Sequence, residues 1–198
     1  MSLINKGLIF FILIGFTHPL RAQDYKISLE NRFLEYYQLI QDHKIEKSMD
    51  YVNDDFLKVF SKNDLVKIFK SIYENPLLEF KVERPLILGI EGLKKYPRSD
   101  YVKFSFSDHF QVRYSKFAKA YDTASVSLKK IMRAQFIKGL ESKFGKGTVQ
   151  YNEETQYFQV HTEKTAIGSS KDDKTWKFLI LEPEKKSSLE KIIPKEFF

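Results

Sequence analysis

The sequence contains no cysteine. Disulfides, a thiolate nucleophile, a zinc–thiolate site and a lipidated cysteine behind a leader are therefore excluded, and packing alone must hold the fold. Histidine is scarce as well. Of four histidines, His18 falls in a leader-like stretch, and His43, His109 and His161 stand far apart without HxH or HExxH spacing. A histidine site needs three ligands to converge, so no metal is expected. There is no GxSxG. Serine–lysine spacings occur at Ser127–Lys130 and Ser188–Lys191, but without the SDN and KTG companions that accompany them in serine acyltransferases. GKGT at 145–148 is not a phosphate loop, because Lys146 is followed by Gly147 and Gly139 stands one residue too far upstream. No cofactor is expected. Linkers rich in glycine, serine and proline are absent, as are internal repeats, so residues 23–198 are expected to form a single domain.

One long apolar run is present, GLIFFILIGF at 7–16. MSLINK precedes it with one positive charge, and THPLRA follows, ending in a small residue. This is the layout of a secretory signal peptide over residues 1–22, and the run is too short to span a bilayer. Cleavage is expected after Ala22, with Leu20 large for the −3 position; an uncleaved anchor is the competing reading. The expected location is outside the cytoplasm, in a periplasm or fully secreted, which suits a chain without cysteine.

Much else is ordinary for a globular chain. With 198 residues, 42% apolar and 30% charged, one sizeable core is affordable. Aromatics are plentiful, with 18 Phe and 11 Tyr, which favours strands over disorder. Removing Lys6 and Arg21 with residues 1–22 lowers the net charge from +7 to +5. The excess concentrates between Ser125 and Gly147, where Lys129, Lys130, Arg133, Lys138, Lys143 and Lys146 face only Glu141. A nucleic-acid binder spreads charge over a larger face, so no nucleic-acid partner is expected.

Periodicity divides the chain. Leu29, Phe33, Tyr36, Tyr37 and Ile40 recur at helical spacing, predicting a helix over about 28–44 with Ser28 as N-cap. A short helix is expected at 45–52, and another over SKNDLVKIFKSIYENP, capped by Ser61 or Asn63 and stopped at Asn75-Pro76. LEFKVERPLILGI reads as a strand that Pro85 interrupts or confines to an edge. In DYVKFSFSDHFQVRY, Val102, Phe104, Phe106, Phe110, Val112 and Tyr114 share one face; Tyr101, Lys103, Ser105, Ser107, His109, Gln111 and Arg113 share the other. Leu128, Met132, Phe136, Leu140 and Phe144, with Ile131 and Ile137 beside them, predict a helix over 125–144 ending at GKG. Strands TVQY, YFQVHTEKTAI and TWKFLIL follow, and SLEKII makes closing turns before Pro194.

These stretches, above all Leu29–Ile40, FSFSDHFQVRY, FIKGLESKFGKGTVQYNEETQYFQV and TWKFLILEPEKKSSLEKIIPKEFF, resemble the small exported members of the NTF2-like superfamily found in Bacteroidetes-type bacteria. The resemblance implies an α+β fold with N-terminal helices packed on a curved antiparallel sheet, a cone, and here an extra helix inserted between strands. It implies Trp176 and Phe178 facing the same way in the last strand, and Leu189, Ile192 and Ile193 folding over an edge. Members range from isomerases and cyclases to domains without activity, so fold constrains function weakly. The leading expectation is a non-catalytic module binding a small molecule or a protein partner, with a homodimer possible, and a cavity lined by Tyr36, Phe104, Asp108, Tyr114 and Trp176. The alternative is a cofactor-free isomerase or cyclase with Asp108 as base and Tyr114 as donor, because a carboxylate in an apolar row can act as one. A bulge within SFSDHF would instead turn Asp108 to solvent. A third reading lays the basic helix 125–146 on an anionic surface, though a helix of this kind more often packs its stripe on the sheet and leaves its lysines in water.

Overall fold

The computed structural model describes residues 18–182 and 186–198, with side chains from residue 24 onward. The expected leader and the apolar run within it lie almost wholly outside the described residues.

The chain is α+β, built on a seven-stranded antiparallel sheet. Two long strands form its axis: β4 (Asp100–Tyr114) and β6 (Phe158–Ser170). They pair without a register shift from Asp100 opposite Ser170 to Val112 opposite Phe158. The outer edge of β4 is taken up in succession by β1 (Leu78–Val82), β2 (Ile87–Ile90) and β3 (Lys94–Lys95). Pro85 accounts for the break between β1 and β2, since it has no N–H for the ladder and sits at an edge. The outer edge of β6 carries β5 (Val149–Tyr151) at one end and β7 (Lys177–Ile180) at the other.

Helix α1 (His18–Gln41) lies across one face. It begins before the expected Ser28, which is no N-cap. The Ser28 hydroxyl instead donates to the Asp173 carbonyl at 2.7 Å and accepts from Trp176 Nε1 at 2.8 Å, tying mid-helix to the turn before β7. Asp42 and His43 close the helix, His43 with φ of 57°. Helices α2 (Ile45–Ser48), α3 (Asp54–Val59) and α4 (Lys62–Tyr73) follow. Helix α3, which the periodicity did not reveal, starts because the Asn53 side chain accepts from the N–H groups of Asp55 and Phe56. Between β4 and β5 come α5 (Ser115–Thr123), also not expected, and α6 (Val126–Phe144). Ser125 caps α6 through the Leu128 N–H, and Gly145 ends it with φ of 106°, a conformation that favours glycine.

Three apolar clusters result. Phe33 of α1 sits edge-on to Phe104, Phe106 and Phe178, at the centre of the largest cluster. Trp176 is fully buried there, although it precedes β7 and lies outside that strand. A second cluster occupies the same sheet face further along, where Phe136 of α6 stacks on Phe158 and Phe144 packs edge-on to Phe110. Leu128 and Ile131 do not join it; they are 47% and 54% exposed on the outer side of α6. The third cluster lies on the opposite face. Residues after β7, including α7 (Lys186–Leu189), bring Leu189, Ile193 and Phe197 onto Tyr101, Ile167 and Leu179. Tyr101, expected among the solvent-facing residues, is therefore buried: alternation gives the face correctly, and the tail covers that face.

Candidate functional site

On the helix-covered face, the even-numbered residues of β4 and β6 run from one apolar cluster to the next, and polar residues interrupt them at the junction. Asp108 stands between Phe106 and Phe110, and Thr162 and Lys164 stand between Val160 and Ala166. The unbroken register excludes the bulge that would have turned Asp108 outward. Asp108 is 9% exposed.

Its carboxylate is answered from both sides. The Tyr37 hydroxyl donates to Oδ1 at 3.1 Å, and Lys164 Nζ lies 2.8 Å from Oδ2. Thr162, directly opposite, donates its hydroxyl to the Asp108 carbonyl at 3.0 Å. Tyr37 comes from α1, whose helical spacing puts Phe33 and Tyr37 on the buried stripe. Burial pushes the Tyr37 hydroxyl well above its ordinary range, and the negative charge of Asp108 pushes the same way. Tyr73 is raised to about 12, first by burial and then by Asp108; Tyr36 is raised by burial before the charges of Tyr73 and Asp108. These tyrosines are neutral donors rather than acids at ordinary pH. A base must reach the proton it takes; Asp108 receives one donor on each oxygen and is nearly buried.

Next to this polar seam lies a cavity of about 800 Å³. Between β5 and β7, residues 162–164 of β6 have no strand partner on their outer edge among the described residues. The end of α6 borders this stretch with Lys143 and Phe144, and the segment after β7 borders it with Leu181 and Phe198. Lys164 and Thr162 belong both to the cavity wall and to the environment of Asp108, whereas Asp108 is not part of that wall.

The residues singled out from the sequence are scattered. Tyr36, Phe104 and Trp176 are buried in the largest cluster, with Tyr36 stacked on Phe178 and Trp176 tilted against Tyr25. Phe104 also touches a smaller cavity of about 260 Å³ bounded by Gly89 and Ser105. Tyr114 packs with Phe136 in the second cluster, about 20 Å along the strand from Asp108 at roughly 3.3 Å per residue. The structure brings Asp108 together with Tyr37 and Lys164 instead. Lys164 left no sequence signal, because HTEKT is polar at every position and shows no face. The register also brings His109 and His161 directly opposite each other, ring centroids 4.5 Å apart. Among the described residues no three metal-ligating side chains converge. No described helix is long and apolar enough to cross a membrane.

Compared with family models, with curated proteins and with solved structures, the chain matches none.

Proposed function

We propose that the chain is an exported protein with a single NTF2-like domain over residues 23–198, and that it binds a small ligand at the cavity beside β6 without catalysing a reaction. The observation that carries this reading is the state of Asp108. The most inward carboxylate of the sheet is held by Tyr37 on one oxygen and by Lys164 on the other, so it closes a polar junction in the core. The open volume lies beyond Lys164, lined by aromatic and basic side chains. A concave site of a few hundred Å³ or more is the ordinary form of a ligand pocket, and this one is more heavily charged than most. Helices against one face, and a last strand whose Phe178 is buried together with the preceding Trp176, support the NTF2-like assignment.

The competing reading, a cofactor-free isomerase or cyclase, draws on the same residue, because Asp108 is nearly buried with a tyrosine donor beside it. Native mass spectrometry of protein purified gently from its own cell envelope separates the two when done with Asp108→Asn alongside. A retained small mass on both forms is the expected result. A bare chain in both, or a mass that Asp108→Asn abolishes while the fold persists, overturns the binding reading.

A further inference from the structure

The cavity beside β6 has a chemical character that narrows its ligand. Four lysines reach its wall from four separate segments: Lys103 from β4, Lys143 from the last turn of α6, Lys164 from β6 and Lys186 from α7. Among the described residues Glu163 and Glu182 are the acidic side chains on the same wall, so lysines outnumber them there. The lysines differ in how they are held. Lys164 is committed to Asp108 at 2.8 Å. Lys103 and Lys186 approach Glu91 and Glu190 only at 3.9 Å and 3.8 Å, as partly exposed pairs that contribute little. Lys143 has no ion pair among the described residues. A charged amine beside a cavity with no acid to answer it is where an incoming anion gains most.

Ser142, Thr162 and Thr165 add hydroxyls, and the remaining lining is apolar. Phe144 follows Lys143 directly, Leu181 follows β7, and the Phe198 ring lies 5.7 Å from Lys186 Nζ. Basic and apolar groups thus share one volume of about 800 Å³. A free inorganic anion would leave the rings in water, and a neutral hydrocarbon would leave the lysines unanswered.

We infer that this cavity takes an amphipathic anion, a carboxylate or phosphate head on an apolar chain, with Lys143 as the principal contact to the head and Phe144, Leu181 and Phe198 against the chain. The inference rests on the reading of this cavity as the ligand site. Lys143 can be altered without touching the core, because it is exposed and unpaired.

The test is calorimetric titration of the purified protein at low salt with octanoate, octyl phosphate, 1-octanol and acetate. Saturable binding is expected for octanoate or octyl phosphate, and the tighter of the two identifies the head. Octanol and acetate should bind at least tenfold more weakly. Lys143→Glu should weaken the anionic probe about tenfold or more, the loss of one charge-assisted contact. Lys138→Glu, on the same helix outside the cavity wall, should leave it unchanged, with unfolding midpoints alike. Octanol binding as tightly as octanoate overturns the anionic assignment, and an octanoate affinity indifferent to Lys143→Glu overturns the location. If no probe binds while native mass spectrometry finds a retained ligand, the ligand class is wrong and the binding reading stands. If no probe binds and the mass is bare, both fall.

Discussion

Lys164 sets its Nζ 2.8 Å from Oδ2 of Asp108, one diagonal step away on the neighbouring strand. The pair lies where two apolar clusters meet, so each partner is expensive to remove alone. Lys164→Met should cost about 1–3 kcal/mol, because it leaves a nearly buried carboxylate with Tyr37 as its remaining side-chain partner. Adding Asp108→Leu should return most of that loss, since replacing both members of a buried pair is often close to neutral. Urea unfolding midpoints of the two single variants and the double variant measure the coupling. Strict additivity of the single losses would show that the two charges do not depend on each other.

Tyr36, Tyr37 and Tyr73 all have hydroxyls raised above their ordinary value of 10.0 by burial, Tyr73 to about 12. Above pH 10 the folded chain keeps protons that the unfolded chain releases. Their contribution to stability is therefore fully present below about pH 10 and is lost as pH rises through the folded values. In an alkaline titration followed by tyrosinate absorbance, this group should ionise late and together with the loss of the circular dichroism of the folded chain. Tyr37→Phe should shrink the late step. Ionisation of every tyrosine near pH 10 in a chain that is still folded would contradict the burial described here.

Gly168 sits on β6 directly against Leu29 of α1. A methyl group there would stand 2.9 Å from Leu29 Cδ1 and 3.2 Å from Trp176 Cε3. Both neighbours are fully buried, so neither can move aside cheaply. Gly168→Ala should destabilise by about 1–3 kcal/mol, as overpacking does. Because Trp176 is the single tryptophan, its fluorescence reports the site directly, and a shifted folded-state emission should accompany the lower midpoint. An unchanged midpoint would mean that the helix stands further off than described.

Much of this fold was readable from periodicity, and what was hidden shares one cause. Alternation along β4 identified its two faces and put Asp108 among the phenylalanines, because one strand carries its own period of two. The helix spacing and the GKG stop located α6 and most of its packed side, but Leu128 and Ile131 of the expected stripe are exposed. The partner of Asp108 could not be read, because Lys164 reaches it only through a register joining strands separated by α5, α6 and β5. Tyr101 was misplaced for a similar reason: its neighbours on β4 are polar, and the rings that cover it arrive from the far end of the chain. The cavity is the extreme case, since the end of α6, the middle of β6 and the segment after β7 each contribute one wall and none is apolar enough by itself to mark a site.

The clusters also grade the stiffness of the two long strands. Around Phe104 and Ile167 the sheet is covered on both faces, by α1 on one side and by Phe197 and its neighbours on the other. Around His109 and His161 only one face is covered, and the polar junction lies alongside. Amide protons should therefore outlast one another in that order, slowest in the doubly covered half and fastest near Thr162. Opening would begin in the half of the ladder where water already reaches one face, and residues 162–164, without an outer strand partner among the described residues, would be the first stretch of backbone to breathe.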